Sequence, residues 1–206
     1  MEKTSLSKGE QTRQQIIETA AKLFLKQGYH GTSMRDIARD AQIALGSIYN
    51  HFATKEDIFE AVFLAYHPYQ TIIPAVQEAN GNTVEEMLRN IASSILSGLR
   101  NNPEFLNLLF IDVVEFQRTY SLKILRQGLP LFKSVYDRAF SIEPDRIRPL
   151  PPYIIMRSFF GLFFSYYFTE IILSGDPEIL DQMSENAFNH FIDIYLHGVI
   201  ADTTTH

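Results

Sequence analysis

The sequence predicts an all-α protein with an N-terminal three-helix domain and a larger C-terminal helical domain. Apolar residues recur at helical spacing along most of the 206 residues. No Asn-Gly or Asp-Gly pair is flanked by the alternating apolar residues of a β-hairpin. Breaks that contain glycine, proline or asparagine separate the helical segments, at residues 81–82, 101–103, 144–152 and 175–177.

Four helices are predicted in the first third of the chain: Lys8–Gln27, Met34–Asp40, Ala44 to about Phe52, and Lys55–Tyr66. Gly28 ends the first helix, the hydroxyl pair Thr32-Ser33 caps the second, and Thr54 caps the fourth. The fourth helix ends before Pro68, because proline disfavours helical backbone at the residue that precedes it. Residues 41–43 leave a turn of only three residues between the second and third helices.

The remaining helices are predicted over Val84–Arg100, Pro103–Phe116, Tyr120–Phe140, Pro152–Ser174 and Glu178–Ile200. We place the domain boundary after residue 54, so that residues 1–54 form the small domain and residues 55–206 the large one. No internal repeat is visible.

Composition excludes several classes of function. The chain has no cysteine, which removes disulfides, thiolate metal sites and cysteine nucleophiles, and suits a reducing compartment such as the cytoplasm. The N-terminus lacks the apolar segment of a secretory signal. The net charge of −6 is unevenly divided, with +3 over residues 1–55 and −9 over the rest. A basic N-terminal segment followed by an acidic remainder is compatible with phosphate contact by the N-terminal segment.

The two short helices around residues 41–43 meet the geometric requirements of a helix-turn-helix, with the small Ala38 where the helices pack. Exposed hydroxyls and free backbone N–H groups at the start of the second helix favour a DNA phosphate. The phenol of Tyr49 and the imidazole of His51 lie on opposite sides of the third helix and suit phosphates of both strands. Lys55 is a cation at a helix N-terminus, where the helix dipole is unfavourable, and a phosphate contact would explain its position. The alternative for Lys55 is a solvated surface lysine. The phosphate contacts are therefore predicted at Thr32, Ser33, Arg35, Tyr49, His51 and Lys55.

Base recognition is predicted at the exposed positions of the third helix, Ala44, Leu45, Ser47 and Asn50. Asn50 has the donor and acceptor pair that reads adenine, and Ala44 or Leu45 can touch a thymine methyl group. Gly46 costs about 1 kcal/mol relative to alanine in a helix, which favours close approach of its backbone to the groove. Close packing of two helices is the alternative for this glycine.

Several constrained positions together resemble the TetR family of transcriptional repressors: Phe24, Gly28-Tyr29, Thr32-Ser33, Gly46, Tyr49, His51-Phe52 and Lys55. The resemblance covers residues 12–60 and implies a ligand-responsive repressor that binds a palindromic operator in double-stranded DNA as a homodimer. It implies neither an enzyme nor a cofactor. Gln42 departs from the glycine that is frequent in the turn, and a positive φ there would cost roughly 1 kcal/mol. Ala44 replaces the usual serine or threonine cap.

The resemblance further implies that the last two long helices pair with their symmetry mates in a four-helix bundle. Ser158, Gly161 and Ser165 form a narrow face of small residues, and the last helix carries an apolar stripe; the predicted dimer contacts are Ser158, Gly161, Ser165, Phe188, Phe191 and Tyr195. Burial of these faces within one subunit is the alternative. Residues 153–173 have the length of a membrane span, but Arg157, Glu170 and several hydroxyls argue against one.

In the family, helices four to eight enclose a ligand cavity, and the body of this chain is rich in aromatic residues. An apolar or aromatic effector is expected, with predicted contacts at Tyr66, Phe110, Phe116, Phe132, Tyr136, Phe164 and Tyr167. Asp112, Glu115 and Arg118 are either polar anchors in that cavity or a solvated, self-paired helix face.

Two rival functions have less support. No enzyme motif with a mechanistic basis occurs. His190 and His197 have the spacing to hold a metal with Glu185 or Asp193, although surface histidines explain them better, and no metal site is predicted. A helical carrier of lipids or small molecules would explain the aromatic body but not the hydroxyl cap, Gly46 and the Tyr49-x-His51 pattern of the N-terminal segment.

Overall fold

The computed structural model describes residues 7–173, 175–176, 178 and 186–200. The helices within this part of the chain are α1 (Lys8–Gln27), α2 (Met34–Asp40), α3 (Leu45–Tyr49), α4 (Lys55–Tyr66), α5 (Tyr69–Glu78), α6 (Val84–Arg100), α7 (Phe105–Glu115), α8 (Thr119–Ile142), α9 (Pro152–Leu173) and α10 (Ala187–Val199). The described residues contain no strand, and their one β-type pairing is an isolated bridge between Ile147 and Ile200. The all-α prediction is confirmed.

Helix α5 was not predicted, because Pro74 lies inside it and proline normally breaks a helix. Its C-terminal end is held by Arg138 of α8, whose two terminal guanidinium nitrogens donate to the carbonyl oxygens of Val76 (2.7 Å), Gln77 (2.9 Å) and Ala79 (3.1 Å). These bonds satisfy carbonyl groups that have no partner within the helix. Arg138, about 60 residues further along the chain, therefore stabilises a helix that the local sequence disfavours.

Several predicted helices differ from the observed ones by a few residues at their ends. Helix α3 ends at Tyr49 rather than near Phe52, and α7 begins at Phe105 rather than at Pro103. The described part of the last helix begins at Ala187. The predicted helix starts at Glu178, but residues 179–185 lie outside the described residues. Ser174, the predicted end of α9, also lies outside them.

The chain divides into two compact units. The first holds the described residues up to His67 together with Asn102–Arg126, and the second holds Pro68–Asn101 with the described residues from Gln127 onward. The first unit thus extends beyond the predicted 1–54 domain and includes α4 and α7. The prediction that residues 1–54 act as the DNA-binding part stays a prediction.

The core of the first unit is built on α1, which packs mainly against α4. A capping box starts α1, because the Ser7 hydroxyl accepts from the backbone N–H of Glu10 while the Glu10 carboxylate accepts from that of Ser7. Gly28 ends the helix with a φ of 78°, a backbone conformation that favours glycine. Fully or almost fully buried apolar side chains fill the centre: Ile16, Ala20, Phe24, Ile37, Ile48, Ile58, Phe59, Val62 and Phe63.

An aromatic cluster joins α7 to the rest of the first unit. The ring of Phe116, just after α7, stacks on Phe59 of α4 with centroids 4.5 Å apart, and it meets Tyr29 edge-on at 4.7 Å. Tyr120 packs on Phe116 from the start of α8, at 5.3 Å. Such pairs contribute about 0.5–1.5 kcal/mol each beyond their burial. Phe116, which was predicted to contact a ligand, is partly buried and packs on these three rings.

A buried carboxylate shapes the connection from α7 to α8. Asp112 is fully buried, and its carboxylate accepts from the backbone N–H groups of Tyr120 (3.1 Å) and Ser121 (2.9 Å) and from the Ser121 hydroxyl. It therefore satisfies the first turn of α8, where helical N–H groups lack partners. Gln117 and Arg118 reach this geometry with φ angles of 51° and 68°. The sequence suggested that Asp112 is either a ligand anchor or part of a solvated helix face. The structure supports neither interpretation.

The second unit has its own core, to which α5, α6, α9, α10 and residues 127–142 of α8 contribute. The buried apolar residues at its centre are Val84, Met87, Ile91, Ile95, Ala139, Phe159, Phe163, Ile192, Tyr195, Leu196 and Val199. Helix α10 packs mainly on α9. Ion pairs at the edges join α6 to both of these helices, from Arg89 to Asp193 and from Arg100 to Glu170.

Candidate nucleic-acid interface

The turn between α2 and α3 is closed by backbone hydrogen bonds. Ala41 N–H donates to Ile37 O at 2.9 Å, and Ile43 N–H donates to Ala38 O at 3.0 Å. Gln42 has a φ of 55°, so this non-glycine residue occupies the left-handed region that the glycine-like turn position requires. From α1, the Gln15 amide donates to Ala41 O at 2.8 Å. The turn therefore has one fixed geometry, which sets the direction of α3.

Helix α3 has one buried face and one exposed face. Ile48 is fully buried and Phe52 is 4% exposed, so both anchor the segment in the core, as predicted. The opposite side consists of the predicted contact residues, of which Ala44, Gly46, Tyr49 and Asn50 are exposed and Leu45, Ser47 and His51 are partly exposed. Tyr49 shows 54% of its surface to solvent. The structure therefore brings all seven of these predicted residues onto one accessible segment.

Gly46 lies on the exposed side with open space around it. A Cβ atom built on this residue would meet no atom within 4 Å. No helix within the described chain therefore packs on this glycine, so the alternative explanation of close helix packing is not supported. A glycine is retained at a helical surface position where alanine would be more stable by about 1 kcal/mol.

Thr32 and Ser33 differ from the prediction that both expose free hydroxyls. Thr32 is only 1% exposed, and its hydroxyl donates to Gly28 O at 3.0 Å, which ties the end of α1 to the start of α2. The Ser33 hydroxyl donates to the Asp36 carboxylate at 2.6 Å and accepts from the Asp36 N–H at 3.2 Å. These hydrogen bonds from Ser33 hold the pKa of Asp36 below its usual range. A carboxylate thus already occupies the end of α2 where a phosphate was expected.

Lys55 is also held by the protein itself. Its ammonium group donates to Tyr29 O at 2.8 Å and to Thr32 O at 2.7 Å, and it lies 4.0 Å from the centroid of the Tyr29 ring. Burial lowers the pKa of Lys55, while the carboxylates of Glu56 and Glu115 act in the opposite direction. The unfavourable position of a cation at the start of α4 is therefore explained by the loop between α1 and α2, which Lys55 fastens to α4.

Two exposed arginines, Arg13 of α1 and Arg35 of α2, have no carboxylate partner among the ion pairs of the described residues. Arg35 was predicted, and it is exposed on the first turn of α2. Arg13 was not predicted. Its guanidinium carbon lies 4.9 Å from the centroid of the Phe52 ring. Since Arg13 and Phe52 are 39 positions apart, only folding reveals this contact. Arg39, by contrast, is paired with both Asp36 and Asp40.

The residues predicted to contact a ligand are divided between the two units. In the first unit, Phe110 is 43% exposed on α7, and Tyr66 is partly exposed at the end of α4. In the second unit, Tyr167 is 4% exposed and its hydroxyl donates to Leu99 O at 3.1 Å, so it is a core residue. Phe132 and Tyr136 are partly buried and pack on Phe160 and Phe140.

Phe164 requires a correction of a different kind. It was predicted to contact a ligand, but it is 44% exposed on the outer face of α9, where its ring stacks on that of Phe168. The exposed Gly161 and Ser165 adjoin it on the same helix. Phe164 therefore lies next to the face of small residues that was predicted to contact a partner subunit.

The predicted dimer residues fall into two groups. Ser158, Gly161 and Ser165 are exposed on α9, as an interface between subunits requires. In α10, Tyr195 is only 6% exposed and its hydroxyl donates to Ile155 O at 3.2 Å, while Phe188 and Phe191 pack on Tyr166. Tyr195 therefore faces the core of its own unit, which corrects the prediction for this residue. Phe188 and Phe191 are partly exposed, and their role in a dimer stays a prediction.

The outer face of α10 is formed by other side chains. Ile194 is 64% exposed, and His190 and His197 lie on either side of it. Asp193 is paired with Arg89, and hydrogen bonding from that arginine keeps the pKa of Asp193 below its usual range. Among the described residues, no group of three histidine, aspartate or glutamate side chains has the arrangement to bind a metal ion. Within the same part of the chain, no helix is both long and apolar enough to cross a membrane.

Helix α3 is short, exposed and followed by a segment that Phe52 anchors in the core, and it comes after a turn of residues 41–44. This arrangement defines a helix-turn-helix protein. Residues 16–62 match the family described as "Bacterial regulatory proteins, tetR family". Residues 16–62 therefore form a domain of this family of regulatory proteins.

Two curated relatives show how far the similarity extends. The HTH-type transcriptional regulator HbdR of Aromatoleum sp. (strain CIB) is 39% identical over 79 residues, which are 38% of this chain and 34% of HbdR. The similarity to HbdR thus spans about a third of that protein. The HTH-type transcriptional regulator YvkB of Bacillus subtilis is 20% identical over 197 residues, 93% of this chain and 98% of YvkB.

Solved structures confirm the fold over nearly the whole chain. The transcriptional regulator FadR of Bacillus subtilis, in complex with stearoyl-CoA, superimposes with a TM-score of 0.70 at 19% identity and covers 90% of this chain and 98% of its own. NalD of Pseudomonas aeruginosa, the secondary repressor of the MexAB-OprM multidrug efflux pump, has a TM-score of 0.66 at 22% identity, with 94% and 99% covered. At these identities the similarity concerns the fold alone.

Proposed function

We propose that the protein is a ligand-responsive transcriptional repressor that binds a palindromic operator as a homodimer. The observation that carries this proposal is the exposed face of α3, where Ala44, Gly46, Tyr49 and Asn50 stand clear of the core. A chain that folds only for internal stability gains nothing from an exposed tyrosine and an exposed glycine in so short a helix.

The exposed face of α3 fits the major groove of double-stranded DNA. Asn50 offers a donor and an acceptor for an adenine edge, and Ser47 can bond several bases. Tyr49 and His51 are assigned to phosphates, and Arg35 supplies a charge on the side of α2. Because Lys55, Thr32 and Ser33 have partners within the protein, we assign them mainly to holding the elements that present α3.

The proposed dimer rests on the outer faces of α9 and α10. Exposed apolar residues cover both, and they include Tyr153 (62%), Ile154 (37%), Phe160 (39%), Phe164 (44%), Ile172 (58%) and Ile194 (64%). An apolar surface of this kind is characteristic of a protein interface. Gly161 lies among these residues with no atom near its Cβ position, which leaves room for the helix of a partner. Twofold symmetry would present two copies of α3 to one face of the DNA and would require a palindromic site.

The proposed effector is an apolar or aromatic small molecule bound by the second unit. The stearoyl-CoA complex of FadR supports this proposal, because that regulator shares the fold and holds a ligand with a long apolar chain. Two aromatic pairs lie in this unit, Phe132 of α8 with Phe160 of α9 and Tyr136 with Phe140 within α8. Ligand binding alters operator affinity only if the DNA-competent and incompetent states bind the ligand differently.

Selection of bound sequences from a random pool of double-stranded DNA tests the central proposal. We expect enrichment of a palindrome whose half-sites are centred about one helical repeat apart, or at a related spacing in bent DNA. Asn50→Ala should then cost about 1–3 kcal/mol on the selected site and leave binding to scrambled DNA nearly unchanged. As the matched variant, Tyr49→Phe should weaken both DNAs alike. Recovery of no sequence preference would contradict the proposal and would favour a helical carrier protein.

A further inference from the structure

Arg13 is the arginine of the first unit for which the described residues show an aromatic ring as the partner. No ion pair of the described residues includes it, whereas Arg39 is paired with two carboxylates. The nearest acidic residue in sequence on the same side of α1 is Glu10, whose carboxylate accepts the Ser7 N–H at 2.8 Å. The partner of Arg13 is instead an aromatic ring, since its guanidinium carbon lies 4.9 Å from the centroid of Phe52.

Contact with a ring leaves the hydrogen-bonding capacity of arginine unused. A guanidinium group that lies over an aromatic ring interacts through its face, while its five N–H donors remain in its plane. Arg13 is exposed, whereas Phe52 is a buried anchor of the segment that contains α3. The side chain is therefore held at one place on the surface with its donors available.

The place where Arg13 is held adjoins the proposed DNA contacts. Phe52 directly follows His51, and the backbone N–H groups of both residues donate to Ile48 O at 2.9 Å, so their positions are set by the end of α3. The first turn of α1 reaches the same spot, because a Cβ atom on Gly9 would lie 4.0 Å from Cε1 of His51. Arg13 thus stands on the α1 side of α3, while Arg35 stands on α2.

From this geometry we propose that Arg13 binds a backbone phosphate of double-stranded DNA and that Phe52 holds it in position to do so. The planar fork of arginine matches the oxygens of a phosphate, and prior contact with the ring reduces the side-chain entropy lost on binding. Arg13 reads no base and fixes the depth and register of α3 in the groove. This inference rests on the proposed DNA-binding function, and it adds a contact from α1 to those of α2 and α3.

The test is a salt titration of binding to the selected operator and to scrambled DNA, with the full chain and its Arg13→Ala variant. Loss of one phosphate contact lowers the slope of log K against log salt by about 0.9 per subunit, or about 1.8 for a dimer. Both proteins should lose affinity between 50 and 200 mM salt, and the factor by which Arg13→Ala loses affinity should be roughly 12 times smaller than that of the unaltered protein. Both DNAs should show this change, because phosphates are common to all sequences.

Lys22→Ala is the matched control. Lys22 is also an exposed cation of α1 that appears in no ion pair of the described residues. It lies nine residues from Arg13, which places it about 180° around the helix and about 13.5 Å along it. Its removal changes the net charge by the same amount and should leave the slope unchanged. Arg13→Lys, which keeps the charge but loses the fork, should keep the slope and bind several-fold more weakly.

The outcomes separate this inference from the proposed function. If the unaltered protein binds neither DNA, the proposed function itself fails. If it binds with a normal salt dependence but Arg13→Ala has the same slope, or if Lys22→Ala lowers the slope equally, the assignment of Arg13 is overturned. Thermal melting of each variant checks folding, and a lower melting temperature with an unchanged slope would show that Arg13 serves stability alone.

Discussion

Removing the ammonium group of Lys55 should destabilise the first unit rather than weaken a DNA contact. In Lys55→Met the side chain keeps its apolar length but loses the hydrogen bonds to Tyr29 O and Thr32 O and the contact with the Tyr29 ring. A hydrogen bond from a charged donor contributes about 1.5–3 kcal/mol, and a cation on an aromatic ring about 0.5–2 kcal/mol. Because Lys55 is partly exposed, water recovers part of this energy, and we expect a loss of about 3 kcal/mol in the free energy of unfolding.

The assay for Lys55 combines urea unfolding with the salt titration of DNA binding. Lys55→Met should unfold at clearly lower urea, while the folded variant should keep the salt slope of the unaltered protein. Lys22→Met provides the control for loss of one exposed lysine and should change neither quantity. Unaltered stability of Lys55→Met, together with a slope reduced by about 0.9 per subunit, would refute this reasoning and assign Lys55 to a phosphate.

Three further predictions concern the turn, the dimer and the response to pH. Gln42→Gly should raise the free energy of unfolding by up to about 1 kcal/mol by relieving a φ of 55°, and Gln42→Val should lower it in the same urea assay. A Cβ atom on Gly161 would meet no atom within 4 Å, so Gly161→Leu should leave the folding of the single chain intact. It should weaken dimerisation by about 1–3 kcal/mol, as measured by light scattering over a range of concentrations; unchanged association would place Gly161 outside the interface. Burial lowers the pKa of His67 to about 4. The contribution of this neutral side chain to the free energy of unfolding should therefore be complete above about pH 6.5 and fall by at most about 3 kcal/mol toward pH 4. Urea unfolding across this pH range should show that His67→Gln removes this part of the pH dependence.

The fold class and most helix limits followed from local patterns. Ser33 and Thr54 cap α2 and α4 where their hydroxyls predicted, and Gly28 ends α1 with the positive φ that favours glycine. Such signals act within one helical turn, so sequence reveals them directly. Helix α5 escaped prediction because Pro74 opposes it locally, and the donors that stabilise its end come from Arg138 in α8.

The exposed face of α3 was likewise predicted from local pattern, since the buried positions of Ile48 and Phe52 leave the others outward. The roles of polar residues at its border were harder to predict. Thr32, Ser33 and Lys55 carry groups suited to a phosphate, and the same groups suit a helix cap or a carbonyl oxygen of a neighbouring loop. Chemistry alone does not separate these roles, because the choice depends on which acceptor lies within about 3 Å after folding.

The sequence by itself determined the helical fold, the helix-turn-helix and the face of α3 that is turned outward, because each of these depends on periodicity and caps within a few residues. Only the tertiary structure decided that Asp112 is buried as a cap for α8, that Tyr195 belongs to the subunit core and that Arg13 rests on Phe52. These outcomes depend on contacts between residues well separated along the chain. A helix such as α9, apolar on every side, gains similar energy from burying either face, so the packing of α6 and α10 against it selected the one that is buried.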